Sequence, residues 1–149
     1  MLGRLARWLR LFGQDALYFR QAPDSLLLRV CLEDPGRRLL TRDTLLLRRR
    51  PVLHGEIPAL RISSDRLEEQ LRQVAEWSGF TPRFPRCPVD NAELLAVPKA
   101  EVDGRVPPYV FASQEQFHQC PSCRRLYWRA THWKRIATLR VRVFGTEFD

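Results

Sequence analysis

The stretch SLLLRVCLEDPGRRLLTRD, residues 25–43, changes its periodicity half-way along, and that change sets the fold class. Its first half is a leucine-rich helical pattern whose apolar positions point nearly all round, which implies burial on several sides. Asp24 stands just ahead of it, where it can N-cap the helix. The triplet Asp34, Pro35, Gly36 breaks the helix, and residues 37–43 read as a buried strand ending on an acid, Asp43. A helix followed at once by a buried strand is the unit from which α/β folds are built.

The same alternation extends outward in both directions. Upstream, Leu2, Leu5, Trp8, Leu9 and Phe12 fall on one helical face, with Arg4, Arg7 and Arg10 on the other. Gly13 closes that helix, and residues 15–19, DALYF, read as a short strand. Downstream, TLLLRRRP is a short helix or turn stopped by Pro51, and ALRIS, residues 59–63, is a further strand. Asp65 and Glu68 form a capping box before a helix with the stripe Leu67, Leu71, Val74, Ala75, closed near Gly79. Strands alternating with helices call for a mainly parallel sheet flanked by helices. A strand normally precedes the first helix of such a sheet, and here none does. The fold does without it, or the chain as given is short at its N-terminus. The missing strand would leave a sheet edge open to a protein partner or to a second copy, a homo-oligomer.

Near GFTPRFPRCP, residues 79–88, the pattern changes to prolines, turns and aromatics. This places a boundary between a domain at 1–80 and a smaller one at 84–136. Residues 137–149 remain as a tail or a strand, since Leu139, Val141 and Val143 alternate with Arg140 and Arg142.

Three of the four cysteines fall in this smaller part. Cys120-Pro-Ser-Cys123 has the spacing of a metal knuckle, and Cys87-Pro-Val-Asp90 repeats it with a carboxylate in the last place. Tetrahedral zinc accepts thiolate, imidazole or carboxylate oxygen. Cys87, Asp90, Cys120 and Cys123 are therefore the first candidate set, with His118, or less directly His132, as the alternative to Asp90. With all four positions used, the zinc is structural. Such thiols suit a reducing compartment, while Cys31 reads as an inert core thiol.

At 149 residues and 44% hydrophobic, the chain is long and apolar enough to bury a core and is not disordered. No apolar run approaches the roughly 18 residues of a membrane helix, so a soluble, cytoplasmic protein with no membrane partner is expected. The excess of 25 Lys+Arg over 17 Asp+Glu gives a charge of +8, and Arg far outnumbers Lys. Guanidinium groups favour bidentate contact with phosphate, so a polyanion is the expected partner.

Taken together, MLGRLARWLRLFG, the D-x-L-L-L helix, RRLLTRD and CPSCRRLYWRATHW resemble the Mut-seven C-terminal RNase family, a PIN-like nuclease domain followed by a zinc ribbon. The likeness runs to about Ile136. It implies a ribonuclease that cleaves RNA phosphodiesters with Mg²⁺ or Mn²⁺ held by acids at the carboxyl ends of parallel strands. Matched motif by motif, the catalytic acids are Asp43 and Asp24. The family's first acid has no counterpart here, and Leu45 stands where a further acid is often found; Asp15 and Glu56 are reserves. In that family Cys usually occupies the place of Asp90. Arg4, Arg7, Arg10, Arg42, Arg48, Arg124, Arg125 and Arg129 are the expected RNA-binding residues. A catalytically inactive RNA-binding module and a protein-interaction adaptor of the same fold are the alternative readings.

Overall fold

A computed structural model of the chain describes residues 2–129 and 133–145. It is an α/β structure with small sheets, and it divides into two compact units. One holds the chain up to Leu5 together with Tyr18–Phe80, the other Ala6–Leu17 together with the chain from Thr81. Helix α1 (Gly3–Leu11) is amphipathic as the sequence predicts. Leu5, Ala6, Trp8 and Leu9 are buried with Phe12, whereas Arg4 and Arg7 are exposed. Gly13 ends it at φ +80, and a Cβ there would meet the Arg83 backbone at 2.7 Å, so two separate constraints require glycine.

In the first unit, α2 (Asp24–Glu33) has Pro23 at its N-cap, so Asp24 lies in the first turn and is not the cap. Its burial is narrower than expected: Leu28 and Cys31 face the core while Leu32 stays 45% exposed. Strand β1 (Leu39–Thr41) pairs in parallel with β2 (Ala59–Arg61), in the register Leu39 to Ala59. A short 3-10 turn, Leu46–Arg48, and α3 (Arg50–Leu53) lie between them in sequence. Leu28, Cys31, Leu39, Leu46 and Ile57 form the core over which Leu27, Val52 and Ala59 pack. Among the described residues the parallel sheet has only these two strands. Residues 15–19 do not form one; the Ala16 N–H, which a ladder would have used, donates to the Asn91 side chain at 3.0 Å.

Helix α4 (Leu67–Ser78) buries Leu67, Leu71 and Val74 and ends on Gly79 at φ 72. The expected capping box is absent, because the Asp65 carboxylate pairs with Arg42 instead. Ser64 replaces it, its hydroxyl accepting the Arg66 N–H at 3.0 Å and donating to Glu69. Leu71 is fully buried. Leu71→Ala is expected to lower the unfolding free energy by about 2–5 kcal/mol in urea denaturation, against less than ~0.5 kcal/mol for the exposed Leu45→Ala.

The second unit holds an antiparallel sheet in the order β3 (Leu95–Val97), β4 (Phe117–Gln119), β5 (Leu126–Tyr127). The 3-10 turn Lys99–Val102 and α5 (Pro108–Ser113) supply Val102 and Val110 to a core with Val106 and Phe117. Trp128 packs on that core. The alternating segment after residue 137 is not a strand: it continues α6 (Trp133–Phe144). Ile136, Leu139 and Val143 sit at helical spacing within the alternation, and the first two are buried. Phe144 packs edge-on to Phe12, their ring centroids 5.6 Å apart. No described helix is long and apolar enough to cross a membrane.

Candidate metal centre and acidic strand end

The two knuckles of the second unit are main-chain copies of each other. In each, the carbonyl of the first ligand residue accepts the N–H four residues on: Cys87 from Asn91 at 2.8 Å, Cys120 from Arg124 at 3.0 Å. The N–H of that same residue donates to the carbonyl five residues on, Cys87 to Ala92 at 2.9 Å and Cys120 to Arg125 at 3.0 Å. Asn91 and Arg124 both take a left-handed backbone, φ 72 and φ 68. The side chain before each knuckle closes the loop, Arg86 Nε donating to the Asn91 carbonyl at 2.8 Å and Gln119 Nε2 to the Arg124 carbonyl at 3.0 Å. Asn tolerates the left-handed region far better than Arg, so the Arg124 conformation is held by this closure. Asp90 thus stands in the frame where Cys123 stands in the other knuckle.

The ligand atoms of Cys87, Asp90, Cys120 and Cys123 all lie within 4.8 Å of one another. Cys87 and Cys120 are fully buried, and the Sγ atoms of Cys87 and Cys123 are 3.7 Å apart. Tetrahedral zinc with bonds of about 2.3 Å to sulfur needs a sulfur separation of about 3.8 Å. Both Asp90 oxygens lie 3.2 Å from Cys120 Sγ, against the roughly 3.5 Å that a shared zinc requires. The donor set therefore fits a tetrahedral thiophilic ion.

Burial and hydrogen bonding shift the ionisable groups of this cluster in opposite directions. Burial pushes the Asp90 carboxyl up, but the Ala92 N–H and the three thiols outweigh it and bring it down to about 2. Burial pushes the Cys120 thiol up to about 11. The Tyr127 hydroxyl, 3.1 Å from Cys87 Sγ, is raised by its burial and by that sulfur. His118 is not in the group. Its ring packs on Phe84 with centroids 4.6 Å apart, and burial lowers its pKa. His132 lies outside the described residues.

The candidate acids belong to the first unit. Asp43 follows β1, and its Oδ1 accepts the Leu45 N–H at 2.8 Å and the Leu46 N–H at 3.4 Å, an Asx turn that starts the 3-10 segment. The far end of that segment returns to the other acid, with Arg49 Nη1 3.6 Å from Asp24 Oδ2. One short connection therefore carries Asp43 at its start and the cation of Asp24 at its end. Asp65, four residues beyond the end of β2 at Arg61, pairs with Arg42. In the sequence Asp65 reads only as a cap, although it lies just past the predicted strand 59–63. Leu45 and Glu56 are exposed. Among the described residues, the only gathered metal-ligating group of three or more is the cysteine one.

The expected RNA-binding arginines separate by their partners. Arg4, Arg7, Arg48, Arg124, Arg125 and Arg129 are exposed, the last stacked 4.7 Å over the Trp133 ring. Arg42 donates to the Ser64 carbonyl at 3.3 Å and pairs with Asp65. The Arg10 guanidinium is engaged by main-chain carbonyls: Nε to Ala16 at 2.8 Å, Nη1 to Pro88 at 3.0 Å and to Val89 at 3.4 Å.

Compared with known families, residues 1–140 match the model of the Mut7-C RNAse domain. No curated protein and no solved structure matches the chain.

Proposed function

The chain belongs to the Mut7-C RNAse domain family, and from that premise we propose that it is a divalent-metal-dependent ribonuclease of PIN-like fold, cleaving RNA phosphodiesters in the cytoplasm. The observation that carries this reading is Asp43 at the carboxyl end of a parallel strand, where open α/β sheets place their ligands, with Asp24 tied to the same connection through Arg49. Mg²⁺ and Mn²⁺ are hard ions commonly held by one or two carboxylates together with waters and substrate phosphates, and Asp24 and Asp43 supply two. Such an ion lowers the pKa of a bound water and offsets charge on the phosphoryl oxygens. The protein's part is to hold the acids. The Asx turn fixes the Asp43 side chain through one oxygen, and Arg49 stands beside Asp24 until a metal or a phosphate draws one of them away. The exposed arginines supply the salt-sensitive grip on the backbone.

In the second unit we assign structural zinc to Cys87, Asp90, Cys120 and Cys123. Oxygen in place of one thiolate weakens the site without changing its frame. Asp90→Ala is expected to release zinc to a chromophoric chelator at least about tenfold faster, and Asp90→Cys more slowly than the parent. Release unchanged in both variants would remove Asp90 from the ligand set.

A second reading has its own support. Arg49 on Asp24 and Arg42 on Asp65 already neutralise two carboxylates, which suits an RNA-binding module without turnover. Labelled single-stranded RNA incubated with Mn²⁺ separates the two. Shortened products support the nuclease, and salt-sensitive retention without products supports the binding module.

A further inference from the structure

The segment from Arg10 to Ala16 is bonded to the first knuckle at both of its ends. Arg10 Nη1 holds the carbonyls of Pro88 and Val89, the two residues between Cys87 and Asp90. The Arg10 carbonyl accepts the Arg86 N–H at 2.8 Å, just before Cys87. Beyond Asp90, the buried Asn91 donates Nδ2 to Asp15 Oδ1 at 2.6 Å and accepts the Ala16 N–H on its own Oδ1 at 3.0 Å. Arg10 Nε closes the circuit on the Ala16 carbonyl. For the second knuckle, the hydrogen bonds described come from the ribbon's own residues, such as Gln119 and Cys123.

We propose that Arg10, seconded by Asp15, is a positioning residue of the metal centre, holding the carboxylate knuckle in coordinating geometry and balancing its charge. This rests on the zinc assignment made above. Three thiolates and a carboxylate around a divalent cation leave a net charge of minus two in a largely buried place, and buried charge must be met by donors or cations. Tyr127 and the Cys123 N–H supply donors to the sulfurs, and the Ala92 N–H serves Asp90. Arg10 adds a formal positive charge; the neighbouring Arg86 has Glu93 within 3.5 Å. The first knuckle is also the one that needs outside support. A carboxylate ligand has two oxygens, binds zinc less firmly than thiolate and carries more rotational freedom, so its backbone must be fixed from elsewhere. A planar fork bonded to three carbonyls does this, and a lysine cannot.

The test uses the full chain loaded with Co²⁺, whose thiolate charge-transfer and ligand-field bands report the ligand shell directly, with release to a chelator timed in the same sample. Arg10→Met is expected to speed cobalt release about 10–100-fold and to shift the ligand-field bands, with Arg10→Lys intermediate. Arg7→Met, on the exposed face of the same helix, should match the parent in cobalt release and in its spectrum, whatever its effect on RNA retention. Asp15→Ala, an exposed substitution, provides a second reading should Arg10→Met fold poorly, and is expected to speed release by a smaller factor. Parental release and spectra in Arg10→Lys and Asp15→Ala would overturn the proposal, as would an equal effect of Arg7→Met. A parent chain that takes up no Co²⁺ or Zn²⁺ would overturn the zinc assignment itself, and is seen before any variant is made.

Discussion

Asp43→Asn is expected to reduce Mn²⁺-stimulated cleavage of labelled RNA on the order of a hundredfold or more, while leaving the fold in place. The substitution is chosen for what it keeps. On the proposed reading Asp43 has two jobs, and its Oδ1 already serves one by accepting the Leu45 and Leu46 N–H groups. An amide oxygen accepts those bonds equally well, so stability should stay within about 0.5 kcal/mol of the parent. What asparagine cannot supply is the negative charge that attracts a hard cation. Loss of cleavage with unchanged thermal denaturation and unchanged RNA retention therefore assigns the charge to catalysis. Cleavage at the parental rate would remove Asp43 from the site. Asp24→Asn should follow it, with the added signature that Arg49, released from its partner, strengthens RNA retention at low salt.

The largest effect on stability is expected at Cys120. Cys120→Ser, or removal of the proposed zinc by a strong chelator, should abolish the cooperative thermal transition of the second unit, followed by near-ultraviolet circular dichroism of Tyr127 and Trp128. The apparent binding energy of a structural zinc, about 10–16 kcal/mol near neutral pH, is as large as the whole stability of an ordinary domain, about 5–15 kcal/mol. The core of Val102, Val106, Val110 and Phe117 is small, and β4 runs directly into Cys120. Without the ion, the thiol at Cys120 is pushed up to about 11 and is protonated near neutrality. Metal binding therefore displaces the Cys120 proton, and acidification should release the metal. A transition that survives chelation unchanged would make the ion dispensable to the fold.

The parts of this chain legible in its sequence are those governed by local spacing. The knuckles show in two Cys-Pro steps of equal length, and Asp90 is found because it completes the repeat. Asp43 stands out as a candidate because an acid follows a strand. What was not legible depends on which surface meets which. Arg10 reads as one stripe with Arg4 and Arg7, yet at about 100° per residue six positions carry it some 240° around the helix from Arg4. It is thereby turned from the solvent-facing side to the Pro88 and Val89 carbonyls. The alternation after residue 137 satisfied two periods, and the burial of Ile136 and Leu139 selects the helical one. The Asp65 cap failed because Arg42, distant in sequence, competes for the same carboxylate.

The main-chain identity of the two knuckles has a consequence for how this protein could change over time. Each loop is shaped by backbone bonds, a left-handed hinge residue and side chains outside the ligand set, none of which is the fourth ligand itself. Ligand identity is thus decoupled from architecture. With the proposed zinc in place, a single substitution at residue 90 is expected to reset how long the ion stays bound while every strand keeps its register. Residence time of the metal becomes a property that selection can adjust in one step, from the near-permanent hold of four thiolates to the exchangeable hold of three.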